Sequence, residues 1–249
     1  NVSLLDNFED VFDYSNKGND EIIMAVRFAE LESAGNNYFN AMYLIGSAIP
    51  TNISTEARET IGAIGGGSNN IVVPTDYVKS LYSDADQRKD ASFYEIFTIN
   101  EDESLSYYTT IVTKGSGTVI GGSRNFIDDI ILFRYADVLL MIAEAKNALG
   151  EDPSMEINEV RMRAYGENYN EFAFTSGTME ENDAIILEER LREMAFEGKR
   201  WWDLVRFDKA IEMLPTLSEK ENAEQKVLWP IATSVLSLEN KVLQNPGYE

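Results

Sequence analysis

The run Glu188-Glu189-Arg190-Leu191-Arg192-Glu193-Met194-Ala195-Phe196-Glu197-Gly198-Lys199-Arg200-Trp201-Trp202-Asp203-Leu204-Val205-Arg206 most constrains what this chain can become. Read at helical spacing, it places acids and bases on matching faces beside an apolar stripe. Glu193 and Glu197 are four residues apart, and Glu197 and Arg200 three apart. A helix of this kind has to pack against elements that answer its charges. Arg190, Arg200 and Arg206 offer guanidinium forks suited to carboxylates, and Asp137, Glu144 and Asp203 are acids on helices expected nearby. Two uses compete: a sugar- or anion-binding cluster, or a partly buried ion-pair lattice that keeps helices in register. The lattice is preferred, because such networks usually orient packing. On that reading Glu197→Ala costs stability and leaves ligand affinity alone.

Composition narrows the chemistry. The 249 residues carry a net charge of −22, which repels phosphate backbones and anionic lipid, so nucleic acid is not an expected partner. Neutral and cationic ligands stay open. The chain has no Cys and no His, which removes thiol nucleophiles, Ser-His-Asp triads and ordinary zinc sites. No apolar stretch approaches the ~20 residues of a membrane span. The start at Asn1, without initiator Met or signal-like run, is read as a processed product or an excised piece.

The chain changes character near residue 125, with a mixed loop, strand and helix region over 1–124 and a helical region over 125–249. In the first part, residues 21–28 read as a largely buried strand, and 94–99 and 107–113 as two more. Thr75 is placed to cap a helix, and Gly65-Gly66-Gly67 reads as a flexible connector. Lys114-Gly115-Ser116-Gly117 reads as a turn, with a short Val119-Ile120 strand after it. In the second part, residues 134–150 predict a helix with Tyr135, Val138, Leu139 and Ile142 in one stripe, widened by Leu140 and Ala143. A shorter helix holds Ile157, Val160 and Arg161. The long charged helix is expected to begin at Asn182 or Asp183.

Three segments together resemble the SusD/RagB family of outer-membrane nutrient-binding lipoproteins. They are Phe133-Arg134-Tyr135-Ala136-Asp137 onward through Arg161-Met162-Arg163-Ala164; Glu189-Arg190 through Arg200-Trp201-Trp202-Asp203-Leu204-Val205-Arg206; and Leu228-Trp229-Pro230-Ile231 with the terminal Leu243-Gln244-Asn245-Pro246-Gly247-Tyr248. Lys241 stands where that family usually has Pro, and Tyr165 interrupts the usual end of the second helix. The resemblance implies a mainly α, SusD-like fold with tetratricopeptide-like helix packing and a small β element in the first half. It implies that this chain is the C-terminal half of a longer protein, lipid-anchored upstream on the outer face of the outer membrane. It further implies a non-catalytic protein that passes oligosaccharide to a SusC-like TonB-dependent transporter. A helical scaffold for a peptide or protein partner is the alternative, and a glycoside hydrolase ranks third.

Candidate ligand residues sit in loops, where a rigid scaffold usually carries recognition. Asn36, Asn37, Tyr38, Phe39 and Tyr43 interleave aromatic platforms with amides that donate to and accept from sugar hydroxyls. Tyr108 is a further candidate; since strand residues alternate, only one of Tyr107 and Tyr108 is expected to face a ligand. Trp201 and Trp202 point about 100° apart on a helix, one filling the core and the other at least partly exposed. Trp229 reads as an anchor for the C-terminal tail. Neither a cofactor nor a catalytic or metal-binding residue is assigned. Asp128-Asp129 reads as solvated, and residues 84–95 fail as an EF-hand because Arg88 and Lys89 replace a ligand and a Gly.

Overall fold

The computed structural model describes residues 2–32, 35–44, 48–62, 72–239 and 241–248. The Gly65-Gly66-Gly67 connector lies outside them. Helix exceeds strand, 44% against 14%, which is the mainly α class with a small β element. The chain divides into two compact units, Asn1–Glu197 and Gly198–Glu249. The change of character near residue 125 therefore falls inside the first unit.

In the first unit the strands form three antiparallel pairs. Strand β1 (Ile22–Val26) pairs with β6 (Ile130–Arg134), β2 (Phe93–Ile99) with β3 (Leu105–Val112), and β4 (Thr118–Ile120) with β5 (Ser123–Asn125). The first strand is not the largely buried one expected: Ile23, Met24 and Val26 are exposed. It has a single neighbour, so no second layer covers both its faces. Short helices α1 (Asn37–Asn40), α2 (Thr55–Ile61), α3 (Asp76–Ser80) and α4 (Arg88–Ser92) lie between β1 and β2 in the chain. Thr75 caps α3 by accepting from the Val78 amide at 3.3 Å, as its side chain predicts. Phe39, Tyr43, Ile61, Ile96, Ile111 and Phe126 belong to one core.

A second core lies among the long helices α5 (Tyr135–Ala148), α6 (Ser154–Tyr165) and α8 (Met179–Met194), with short α7 (Tyr169–Phe172) between the last two. Ala136, Leu139, Leu140, Val160 and Met194 meet there. The stripe of α5 is rotated from the sequence expectation: Ala136, Leu139, Leu140 and Ala143 are buried while Ile142 is exposed. Small alanines allow the close helix approach. Helix α8 starts earlier than expected, because Thr178 and Glu181 form a capping box. Asn182 and Asp183 instead tie α8 to α5 through Asn147, at 2.9 and 2.7 Å.

The second unit contains α9 (Arg200–Arg206), α10 (Ala210–Met213), α11 (Pro215–Ser218) and α12 (Thr233–Leu238). Asp203 and Leu204 form the buried face of α9, Trp201 is half-buried, and Trp202 is 64% exposed. Trp202 lies two residues, about 200°, from Leu204, so it points away from that face. The tail folds back through polar bonds: the Gln244 amide brackets the Ile231 backbone at 2.8 and 3.0 Å, and Asn245 Nδ2 donates to Trp229 O at 2.6 Å. The Trp229 ring itself is 74% exposed, so its backbone holds the tail and its indole does not.

Candidate functional site

The charged helix is part of a buried lattice. Glu193 on α8 accepts from Arg134 at 2.6 Å and Arg88 at 3.1 Å, and also pairs with Arg163. Glu21 joins Arg134 at 2.8 Å to Arg163 at 2.6 Å. Arg88 also binds Asp86 and Glu189, each at 2.7 Å, and Glu189 reaches Arg161 at 2.8 Å. Glu197 receives Lys114 at 2.7 Å and Arg134 at 2.8 Å. Acids and bases balance one for one, and nearly every member is withdrawn from water. Burial pushes the Glu193 carboxyl up, but the guanidinium groups of Arg163, Arg134 and Arg88 outweigh it and hold it well below the usual carboxylate range. Burial pushes the Lys114 ammonium down to about 8 despite Glu197. A lattice this dry has no room for a ligand, so its work is structural.

The lattice was legible in outline only. Of the bases and acids named from the sequence, Arg190 pairs with Asp137 and Arg206 with Asp203, each at 2.9 Å. Glu197 and Arg200, however, do not share a helix: α8 ends at Met194, Phe196 and Gly198 have positive φ, and α9 opens at Arg200. The lattice partners Glu21, Arg88, Lys114, Arg134 and Arg163 were missed. Lys114 opens a stretch whose glycines predict a turn, and Asp86–Arg88, which fails as a calcium loop, is a buried ion pair.

Of the candidate ligand residues, three are interior. Asn36 is 2% exposed; its Oδ1 accepts from Tyr38 N at 2.9 Å and its Nδ2 donates to Asp128 O at 3.2 Å. It caps α1 and fastens the loop, and its burial keeps the amide out of reach of a sugar. Phe39 is buried in the first core with its ring against Gly115, and Tyr43 is 1% exposed with its hydroxyl donating to Ile61 O at 2.9 Å. These rings cannot stack on a ligand. Asn37 and Tyr38 remain at the surface, side by side on α1. The Tyr38 hydroxyl donates to Phe196 O at 3.1 Å, and its ring packs edge-on to Phe39 at 5.3 Å. Tyr38 is thus an exposed ring held in one orientation.

Tyr108 is also exposed, with its hydroxyl donating to Ala48 O at 2.6 Å. Contrary to strict alternation, Tyr107 is exposed as well. The register shifts between Ile96 and Phe97, and a two-stranded ribbon leaves both faces open. Tyr107 pairs edge-on with Phe97 at 5.9 Å, and the Lys79 ammonium lies 4.6 Å above its ring. Asp128 is not solvated but 5% exposed. Among the described residues, no group of three or more acids is arranged to hold a metal ion.

Residues 98–248 match the model of the SusD family. SusD-like protein P38 of Formosa agariphila is 38% identical over 135 residues, covering 49% of this chain and 25% of the relative. A SusD superfamily crystal structure from Bacteroides fragilis NCTC 9343 superposes with a TM-score of 0.84 at 31% identity, covering 100% of this chain and 56% of that one. Surface glycan-binding protein A from Bacteroides thetaiotaomicron, solved in complex with laminarihexaose, has the same fold at a TM-score of 0.64 and 21% identity, covering 98% of this chain and 56% of that one. The chain thus spans a quarter of this curated relative and just over half of the solved structures.

Proposed function

Since the chain belongs to the SusD family, we propose that it binds a neutral oligosaccharide at the outer-membrane surface, without catalysis, and hands it to a SusC-like TonB-dependent transporter. The observation that carries the binding half is Tyr38. Its ring is exposed but pinned through its hydroxyl, and Asn37, the residue before it on α1, is exposed as well. A fixed aromatic face stacks on the C–H face of a pyranose at little entropic cost, while an amide reads hydroxyls. A protein of this fold has been solved with laminarihexaose, which supports the ligand class. Tyr108 is a second exposed platform of the same kind.

Calorimetric titration with a panel of neutral oligosaccharides, repeated with Tyr38→Ala, tests this. Saturable binding that the substitution abolishes supports it. Binding that survives both Tyr38→Ala and Tyr108→Ala removes these rings from the site. A second reading, a scaffold for a protein partner, is favoured by the exposed Trp202 and Trp229 of the second unit. Co-purification of a transporter, unaffected by sugar and lost on Trp202→Ala, would support it.

A further inference from the structure

A cleft of about 550 Å³, within the size range of small-molecule sites, opens in the first unit, and Tyr38 is not among the residues that line it. Glu9, Asp13, Asp90 and Asp128 line it, and none of its lining residues is basic. An acidic surface cluster alone would mean little in a chain this acidic. Asp128 is different. It is 5% exposed, its Oδ1 accepts the Gly117 amide at 3.2 Å, and its Oδ2 is buried with no hydrogen-bond donor among the described residues. Lys17, whose charge reaches Asp128, does not answer it. The Lys17 ammonium donates to Phe28 O at 2.6 Å and Ile127 O at 2.5 Å, and pairs with Asp129 at 2.9 Å, which uses its three N–H groups. A buried carboxylate oxygen left without a donor is costly, and natural structures rarely keep one without a use.

We propose that this cleft is a second saccharide site, and that Asp128 receives the protonated amine of a deacetylated amino sugar. An ammonium brings the hydrogen-bond donors that Asp128 lacks and the charge that the rim favours. Asp13 stays ionised, because the Ser15 hydroxyl and amide both donate to it, at 2.7 and 2.6 Å. Tyr14 and Thr118 also line the cleft. A metal ion fits less well, since the acids are not grouped closely enough to ligate one. The amine half of the assignment stands on the cleft; the saccharide half rests on the glycan-binding reading above.

The test is calorimetric titration of the intact protein at low salt with three probes: a fully deacetylated glucosamine tetramer, its N-acetylated counterpart, and tetralysine. The glucosamine tetramer is expected to bind, and Asp128→Asn to weaken it roughly tenfold or more while the acetylated tetramer is unaffected. The exposed rim pair Glu9→Gln/Asp90→Asn, which leaves the interior intact, is expected to weaken binding a few-fold and to flatten its salt dependence. Equal binding of the acetylated tetramer, or no effect of Asp128→Asn in a folded protein, overturns the proposal. Tetralysine binding as tightly as the amino sugar overturns its saccharide half. Tyr38→Ala separates the two sites: if neutral glycans fail while the glucosamine tetramer binds through Asp128, only the Tyr38 reading is lost.

Discussion

The Arg134 guanidinium meets the Glu193 carboxylate at 2.6 Å with both side chains essentially dry. Arg134 is the last residue of β6 and Glu193 sits in the final turn of α8, 59 residues later. One contact therefore joins the β1–β6 pair to the charged helix, and the remaining lattice members gather around it. Glu193→Ala is expected to cost about 3–5 kcal/mol, because it strands guanidinium charges in a dry interior. Arg134→Lys is expected to be nearly as damaging, since a single ammonium cannot serve Glu21, Glu193 and Glu197 at once. Urea unfolding measures both; a midpoint within error of wild type would remove the structural role.

Acid should expose the same lattice. Glu189, Glu193 and Glu197 all have carboxyls held below their ordinary value of 4.5, against a burial that pushes them up. Groups lowered in the folded state contribute stability that is complete above about 4.5 and drains away as pH falls below it. Stability measured from pH 6 downward is expected to drop steeply below pH 4.5, and Glu193→Gln to make that drop shallower. An unchanged slope in the variant would contradict the assignment.

Asp128 should behave in the opposite sense. Burial raises its carboxyl from 3.8 to about 6. The folded state then binds the extra proton between those values, so its contribution to stability falls as pH rises through that window. Asp128→Asn is expected to stabilise the protein at pH 7 by ~1–3 kcal/mol and to leave it nearly unchanged at pH 4. A loss of stability at pH 7 would mean that the carboxylate has a structural partner.

Gly115 connects the lattice to the packing behind Tyr38, the proposed ligand ring. It follows Lys114, and a Cβ there would drive into the Phe39 ring. Gly115→Ala is expected to cost about 1–3 kcal/mol by overpacking and to reduce oligosaccharide affinity through the displaced α1 turn. Phe39→Leu combined with it should recover part of both. Loss of stability with affinity intact would detach Tyr38 orientation from this packing.

Much of this protein was readable without coordinates. Thr75 announced α3, the two β-rich runs announced strands β2 and β3, and alternating charge over residues 188–206 announced a lattice rather than a solvated face. These signals are local: a cap, a period and a charge spacing each lie within a few residues. The family resemblance was equally legible, because its motifs are written in contiguous segments.

Burial and partnership were not legible. Asn36, Phe39 and Tyr43 looked like ligand residues beside Tyr38, yet of these five only Asn37 and Tyr38 stay outside, because the α1 cap claims Asn36 and the first core claims Phe39 and Tyr43. Asp128 and Asp129 looked alike, yet one is enclosed with its Oδ2 left without a donor while the other takes Lys17. The sequence by itself determined the longer elements, α5, α6, β2 and β3 among them, and that the charged helix needed partners. Only the tertiary structure decided that those partners are Glu21, Arg88, Lys114, Arg134 and Arg163. Periodicity reports which way a side chain faces on its own element, whereas solvent exclusion depends on distant segments brought together, and it is solvent exclusion that turns a charge into a constraint.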